Sequence, residues 1–351
     1  MKKVLFFALS AMLLASCGGQ KKEGSVKLSG AGATFPEPFY KIVTKDYAKV
    51  SGNDVTYGGV GSGAGIRSLK DKTVDFGATD VFLSEDELKE MGADIIHVPT
   101  ALGAVVLSYN LPDVKDLKIT SEIITDIYLG KIKTWDDAKI KALNPDAKLP
   151  SKGITPVFRS DGSGTTAVFS EYMTKVNPDW STAIGSGKSL KFPVGVAAKG
   201  NTGVAGIISQ TDGAFGYIGS EYALALNIPS ALLLNSTGNF VKADVKSISA
   251  SADIELPDDM RVVISNSANP EAYPISTFTW IIAYKEQNYN GRSEASAKAL
   301  AALLNYIISD EGQTAATKTF YAPLSDKALA KTKAIISSIT YNSAVLSEPA
   351  K

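Results

Sequence analysis

The 351-residue sequence holds one cysteine and one histidine. Neither a zinc cluster nor a Cys/His pair assembles easily from that supply, so metal and thiol chemistry have little support. An excess charge of one sign is also missing. Lys plus Arg number 36 and Asp plus Glu number 36, for a formal net charge of zero. A general nucleic-acid or polyanion binder would need a basic surplus, so no nucleic-acid partner is expected. No motif asks for a cofactor. What remains is ordinary globular material. The chain is 44% hydrophobic and long enough for one or two domains with a buried core.

The first residues read as a targeting segment. Lys2 and Lys3 precede VLFFALSAMLLA, an apolar run too short to span a bilayer comfortably. The run ends in LASC at Cys17. Leu-Ala-Ser-Cys resembles the lipobox of bacterial lipoproteins, in which the cysteine is lipidated and becomes the first mature residue. The plainer alternative is a buried free thiol after an ordinary signal peptide. On the lipobox reading, residues 1–16 are a signal peptide and 17–25 a lipidated polar tether. Each buried CH2 of lipid supplies about 0.8 kcal/mol, so several chains anchor firmly. Removing residues 1–16 takes two lysines, leaving 34 basic against 36 acidic residues, a net charge of −2.

From Val26 onward, short strands alternate with helices. VKLSG, DVTYGG, TVDFGATD and ADIIHVP read as strands, and PEPFYKIVTKDYAKVSG, GSGAGIRSLKDK and SEDELKEMG as helices. In the first helix Phe39, Val43, Tyr47 and Val50 form an apolar stripe of helical period, and Gly52 is its stop. Such alternation predicts an α/β fold, a parallel sheet with helices on both faces. Two extended apolar runs, ALGAVVLSYN (101–110) and YPISTFTWIIAY (273–284), suit strands that carry the chain between two lobes. ASAKALAALLNYIISDEG reads as one helix with Leu300, Leu303, Leu304 and Ile307 on one face, and KALAKTKAIISSI as another.

Three places share a strand, small residues and then a helix start: GAGATFP (30–36), GGVGSGAG (58–65) and RSDGSGTT (159–166). The first turn of a helix presents unpaired N–H groups and partial positive charge, which suits an anion. Glycine lets backbone approach the ligand, and Thr34, Ser62, Ser163 and Thr165 add hydroxyls. Rival motifs fit less well. No lysine follows Gly162 or Gly164, so the P-loop lysine is missing. Gly59, Gly61 and Ala64 match GxGxxA, with Asp80 about twenty residues on, yet that dinucleotide pattern leaves RSDGSGTT unexplained. Neither Ser62 nor Ser163 sits in GxSxG. His97 lies in an apolar strand and reads as structural.

GAGATFP, VDFGATD, DIYLGKIKTWDD (126–137), RSDGSGTT and KGNTGVAG (199–206) together resemble the substrate-binding proteins of the bacterial phosphate ABC transporter. The likeness runs from Val26 to the C-terminal helices and is weakest over 228–272. Phe158 stands where some relatives have a second basic residue, and Gly63 where they often have a second serine. The resemblance implies a two-lobed periplasmic-binding-protein fold of type II, with two hinge strands and the ligand buried between the lobes. Lobe I would comprise 26–106 and 275–351, and lobe II 107–274. It implies metal-free binding of inorganic phosphate by Thr34, Phe35 through its N–H, Ser62, Asp80, Arg159, Asp161, Ser163, Gly164 and Thr165.

On that basis Arg159 supplies the full positive charge. Asp80 accepts a hydrogen bond from a protonated phosphate oxygen, which sulfate cannot offer. Asp161 has two open readings, a helix N-cap or an ion pair that orients Arg159. The implied partners are a transmembrane permease and ATPase, reached by a monomer at the cell envelope, periplasmic or on the outer face of a membrane and lipid-anchored through Cys17. A phosphoester- or nucleotide-processing enzyme is the competing class, and it lacks a P-loop lysine and a plausible histidine base.

Overall fold

A computed structural model of the protein describes residues 25–346. Cys17, the signal peptide and all of the tether before Ser25 lie outside the described residues.

Prolines and a glycine bracket the first helix. α1 (Glu37–Ser51) follows Pro36 and carries Pro38 in its first turn, where a missing N–H costs no helical bond. Gly52 ends it in the left-handed region at φ 76°, its N–H on the Ala48 carbonyl. Phe39, Val43 and Tyr47 of the expected stripe are buried, whereas Val50 is 67% exposed. It lines an open groove with Ala302, Tyr306 and Leu329 and is not covered by them. α2 (Ser62–Lys70) and α3 (Glu85–Met91) follow, the latter opened by a capping box between Ser84 and Glu87.

Eight strands form the main sheet: β1 (Lys27–Gly32), β2 (Asp54–Gly59), β3 (Phe76–Thr79), β4 (Ile95–Tyr109), β5 (Thr155–Arg159), β6 (Val196–Ala198), β7 (Ala214–Gly219) and β8 (Ser276–Tyr284). Their order is β2-β1-β3-β8-β4-β7-β5-β6. β1 pairs in parallel with β2 and β3, and β5 with β6 and β7, as strand–helix alternation predicts. The centre differs from that expectation. β7 and β8 both run antiparallel to β4, so the sheet is mixed. The reason is connectivity: β4 carries the chain out of the first half-sheet and β8 carries it back. ADIIHVP and ALGAVVLSYN are not two strands but one of 15 residues. Its Ile95–Ala104 stretch pairs with β8 and its Val105–Tyr109 stretch with β7.

Helices α4 (Gly164–Val176), α5 (Gly200–Gln210) and α6 (Ser220–Ala225) belong to the second half-sheet. α7 (Glu294–Ile307), α8 (Asp310–Lys318) and α9 (Asp326–Ser337) close the chain. The expected single helix over 295–312 is therefore two. Ser309 accepts from the Gly312 N–H at 3.3 Å and starts a new helix inside the segment. Leu300, Leu303, Leu304 and Ile307 are buried as their spacing predicts. One apolar cluster runs from Phe39 and Phe76 through Val105 and Leu107 to Phe215 and Ile218, so both half-sheets rest on continuous packing.

Candidate functional site

Five chain segments meet where parallel strands end. The β1–α1 turn brings Thr34 and Phe35, the β2–α2 turn Ser62, the end of β3 Asp80, and the β5–α4 turn Arg159 to Thr165. The fifth is the start of α5. Carboxyl ends of strands are where open α/β sheets place ligands, because helix N-termini converge there. The two half-sheets touch across this place. Gly164 N–H donates to Ser62 Oγ at 3.1 Å, and Gly63 N–H to the Gly162 carbonyl at 2.9 Å. Only glycine fits at 164: a Cβ there would lie 2.5 Å from both Asp80 Oδ2 and Ser62 Oγ. Thr34, Phe35, Ser62, Asp80, Arg159, Ser163 and Thr165 are all buried. All nine residues singled out in the sequence thus come together.

The charges are arranged unevenly. Arg159 donates to Asp161 twice, Nε to Oδ1 at 2.8 Å and Nη2 to Oδ2 at 2.6 Å. Its Nη1 is buried with no protein partner. Asp161 Oδ1 also accepts from the Gly200 N–H at 2.9 Å, tying the pair to the start of α5. Burial pushes the Asp161 carboxyl up, but the bonds and charge of Arg159 outweigh it and hold the group below the usual range. The cap of α4 is not Asp161. It is Ser163, whose Oγ accepts from the Thr166 N–H at 3.0 Å. Its hydroxyl proton stays free to donate.

Asp80 is 1% exposed. Its Oδ1 accepts from Thr279 Oγ1 at 3.0 Å, while Oδ2 is buried without a protein partner. Burial raises its pKa to about 7, against the pull of the Thr279 bond and the Arg159 charge. A buried unpaired acceptor and a buried unpaired cationic donor are each costly unless a ligand answers them. Such a ligand carries negative charge and, on one oxygen, a proton.

Several residues that hold this site escaped sequence reasoning. Asn201, fully buried on α5, donates through its N–H and Nδ2 to Thr34 Oγ1 at 3.1 and 3.0 Å. Nδ2 also reaches Thr165 Oγ1 at 3.1 Å, and Oδ1 accepts from the Gly219 N–H at 3.0 Å. Tyr217 OH accepts from the Arg159 N–H at 3.2 Å and is held by ring stacking on Phe169, with centroids 4.4 Å apart. Tyr222 OH donates to the Thr34 carbonyl at 2.6 Å, and Tyr321 OH to the Phe35 carbonyl. The first of these polarises the peptide whose N–H belongs to Phe35. At the rim Lys188 Nζ meets Glu87 Oε1 at 2.5 Å, joining the two sides. Only KGNTGVAG hinted at any of them. His97 lies apart, buried, its Nε2 accepting from the Leu83 N–H at 3.1 Å. Burial holds its pKa down at about 4, so it stays neutral.

Comparison with known proteins gives the family context. A family model described as a PBP superfamily domain matches residues 19–311. The chain is 37% identical over 305 residues to a phosphate-binding protein PstS of Xylella fastidiosa, covering 86% of this chain and 82% of that one. It is 35% identical over 312 residues to a phosphate-binding protein PstS of Pasteurella multocida, covering 88% and 89%. Among solved structures, a high-affinity periplasmic phosphate-binding protein (PfluDING) bound with phosphate superposes with a TM-score of 0.71 at 21% identity. That match covers 88% of this chain and 93% of the other.

Proposed function

The chain belongs to the PstS phosphate-binding family within the PBP superfamily, and from that premise we propose that the cleft between its half-sheets is where it holds inorganic phosphate. The protein is a phosphate-binding, substrate-binding component of ABC transport in the cell envelope, and it acts by binding, not by catalysis. The observation that carries the site assignment is that Asp80 Oδ2 and Arg159 Nη1 are both buried without a partner, with the Arg159 charge acting on the Asp80 carboxyl.

Arg159 Nη1 supplies the charge-assisted bond to the anion, and Asp161 positions it without touching the ligand. The Phe35 and Thr165 N–H groups and the hydroxyls of Thr34, Ser62, Ser163 and Thr165 supply neutral donors, while the Gly164 N–H is spent on Ser62 Oγ. Neutral donors desolvate an anion without adding more buried charges. Asp80 Oδ2 faces a phosphate oxygen, and the pair needs a single proton between them. Phosphate brings that proton near neutral pH, whereas sulfate arrives without one. Lobe I comprises 26–106 and 275–351 and lobe II 107–274, hinged on β4 and β8. The closed pair, a monomer, docks on a transmembrane permease served by an ATPase. Cys17 anchors the mature chain by lipid, on the strength of LASC after a short apolar run.

Equilibrium titration with phosphate, arsenate and sulfate tests the ligand. Phosphate and arsenate should bind and sulfate should not; equal binding of sulfate overturns the role of Asp80. Substituting Cys17→Ser should move the protein from the membrane fraction to the soluble one, and an unchanged distribution refutes the anchor.

A further inference from the structure

Beside the site stands a carboxyl group that none of these roles uses. Glu221, the second residue of α6, is 1% exposed, and neither of its oxygens has a hydrogen-bond partner. It folds back over Gly219, where a Cβ would collide with it at 2.0 Å. Gly219 in turn gives its N–H to Asn201, so Glu221 is tied to the residue that bridges Thr34 and Thr165.

The groups around it leave only one comfortable state. The Tyr321 hydroxyl is its neighbour, and the single proton of that hydroxyl goes to the Phe35 carbonyl. The Tyr222 hydroxyl likewise spends its proton on the Thr34 carbonyl. Toward Glu221 each phenol therefore offers a lone pair and no proton. With neither oxygen in a hydrogen bond, a carboxylate buried here is costly, and the neutral acid costs far less. The charges nearby agree. Asp80, at the end of β3, adds negative charge. Arg159, the cation of the site, already gives two of its nitrogens to Asp161. A phosphate would add further negative charge.

We propose that closure of the cleft on phosphate holds Glu221 as a neutral acid, so that capture takes up a proton at this residue. The inference rests on phosphate binding between the half-sheets. Glu221 is a positioning residue: as an acid it sits beside the Tyr321 hydroxyl, which braces the β1–α1 turn through the Phe35 carbonyl. Burial, with the Asp80 charge, raises its pKa well above the ordinary glutamate value, in agreement with this geometry. When the cleft opens, Tyr321 and Phe35 part from the second half-sheet and water can ionise the group. A raised pKa in the closed form means that the stabilisation of closure is complete below the open-form pKa. It is lost as pH rises toward the closed-form value. One linked proton weakens binding about tenfold per pH unit across that window.

Calorimetric titration of the whole protein with phosphate, in buffers of different ionisation enthalpy, counts the protons. Glu221→Gln should take up one proton fewer per phosphate bound, and the slope of log Kd against pH should fall by one. An unchanged proton count and slope in a variant that binds phosphate overturns the inference. Failure of the intact protein to bind phosphate would instead refute the site. Difference infrared spectroscopy covers a variant that fails to fold. Phosphate added to the intact protein at pH 8 should raise the carbonyl stretch of a protonated carboxyl, and Asp80→Asn should retain it. Its absence from both also overturns the inference.

Discussion

Arg159 turns two of its three guanidinium nitrogens onto Asp161, at 2.8 and 2.6 Å, and keeps the third buried and unpaired. The acid in RSDGSGTT is thus the device that aims a cation, and its charge is spent before any ligand arrives. Asp161→Ala should weaken phosphate binding about 10- to 100-fold, the value of a charge-assisted bond of roughly 1.5–3 kcal/mol. In an Arg159→Ala background the same change should cost little more, because Asp161 acts through Arg159. Additive losses in the titrations of the single and double variants would refute that dependence.

Asp80 predicts a pH-dependent choice between anions. Its carboxyl is raised by burial to about 7, so beside an anion that carries no proton of its own it is favoured as the neutral acid. Sulfate must therefore bind together with a proton taken up by Asp80, while phosphate brings its own. Sulfate affinity should rise as pH falls from about 7 toward the ordinary carboxylate range, by up to tenfold per unit. Asp80→Asn should bind sulfate better at pH 8 and show no such slope. Competition titrations over pH decide it; a parent protein whose sulfate rejection is the same at pH 5 and pH 8 sinks the idea.

Asn201 spans the cleft with one side chain. Asn201→Ala removes donors to Thr34 and Thr165 and the acceptor for Gly219. A loss of about 2 kcal/mol, roughly 30-fold in phosphate affinity, is expected from the groups left unsatisfied. The melting temperature without phosphate should change much less than the affinity, since the bonds to Thr34 are ones that join the two half-sheets across the cleft. Equal losses in both would make Asn201 a residue of the fold and not of the cleft.

The rim pair Lys188–Glu87 is partly solvated, with side chains 21% and 29% exposed. Lys188→Met should raise the phosphate off-rate only a few-fold, consistent with an exposed pair worth about 1 kcal/mol or less. The difference should vanish at high salt. Stopped-flow release at two ionic strengths checks both statements.

What was legible in the sequence was local. Strand–turn–helix junctions announce themselves by glycine, small hydroxyl residues and caps, and the three turns that hold eight of the nine site residues converge with Asp80 at the end of β3. The residues that went unread act across distance. Thr279 pairs with Asp80 over 199 positions and Asn201 with Thr34 over 167, and no spacing rule reaches that far. Glu221 carries no sequence signal, since Tyr321, its neighbour in space, lies a hundred residues away. The mixed sheet was missed for a related reason. Apolar content shows that β4 is buried on both faces but not which direction its neighbours run. Ser309 was legible in principle: Ser-Asp-Glu-Gly is a helix start that the leucine stripe before it concealed.

The long strand β4 has a consequence for how the molecule can change over time. It belongs to both half-sheets, ten residues to one and five to the other, and β8 returns the chain through the same place. The second half-sheet is in effect an insertion whose first seam lies within strand β4 and whose second lies where the chain enters β8. Exchange between related chains at such seams must match strand register and core packing at once. The two sides of the binding site are therefore inherited as one unit: Arg159 and Asp80, though contributed by different halves, are poor candidates for shuffling apart.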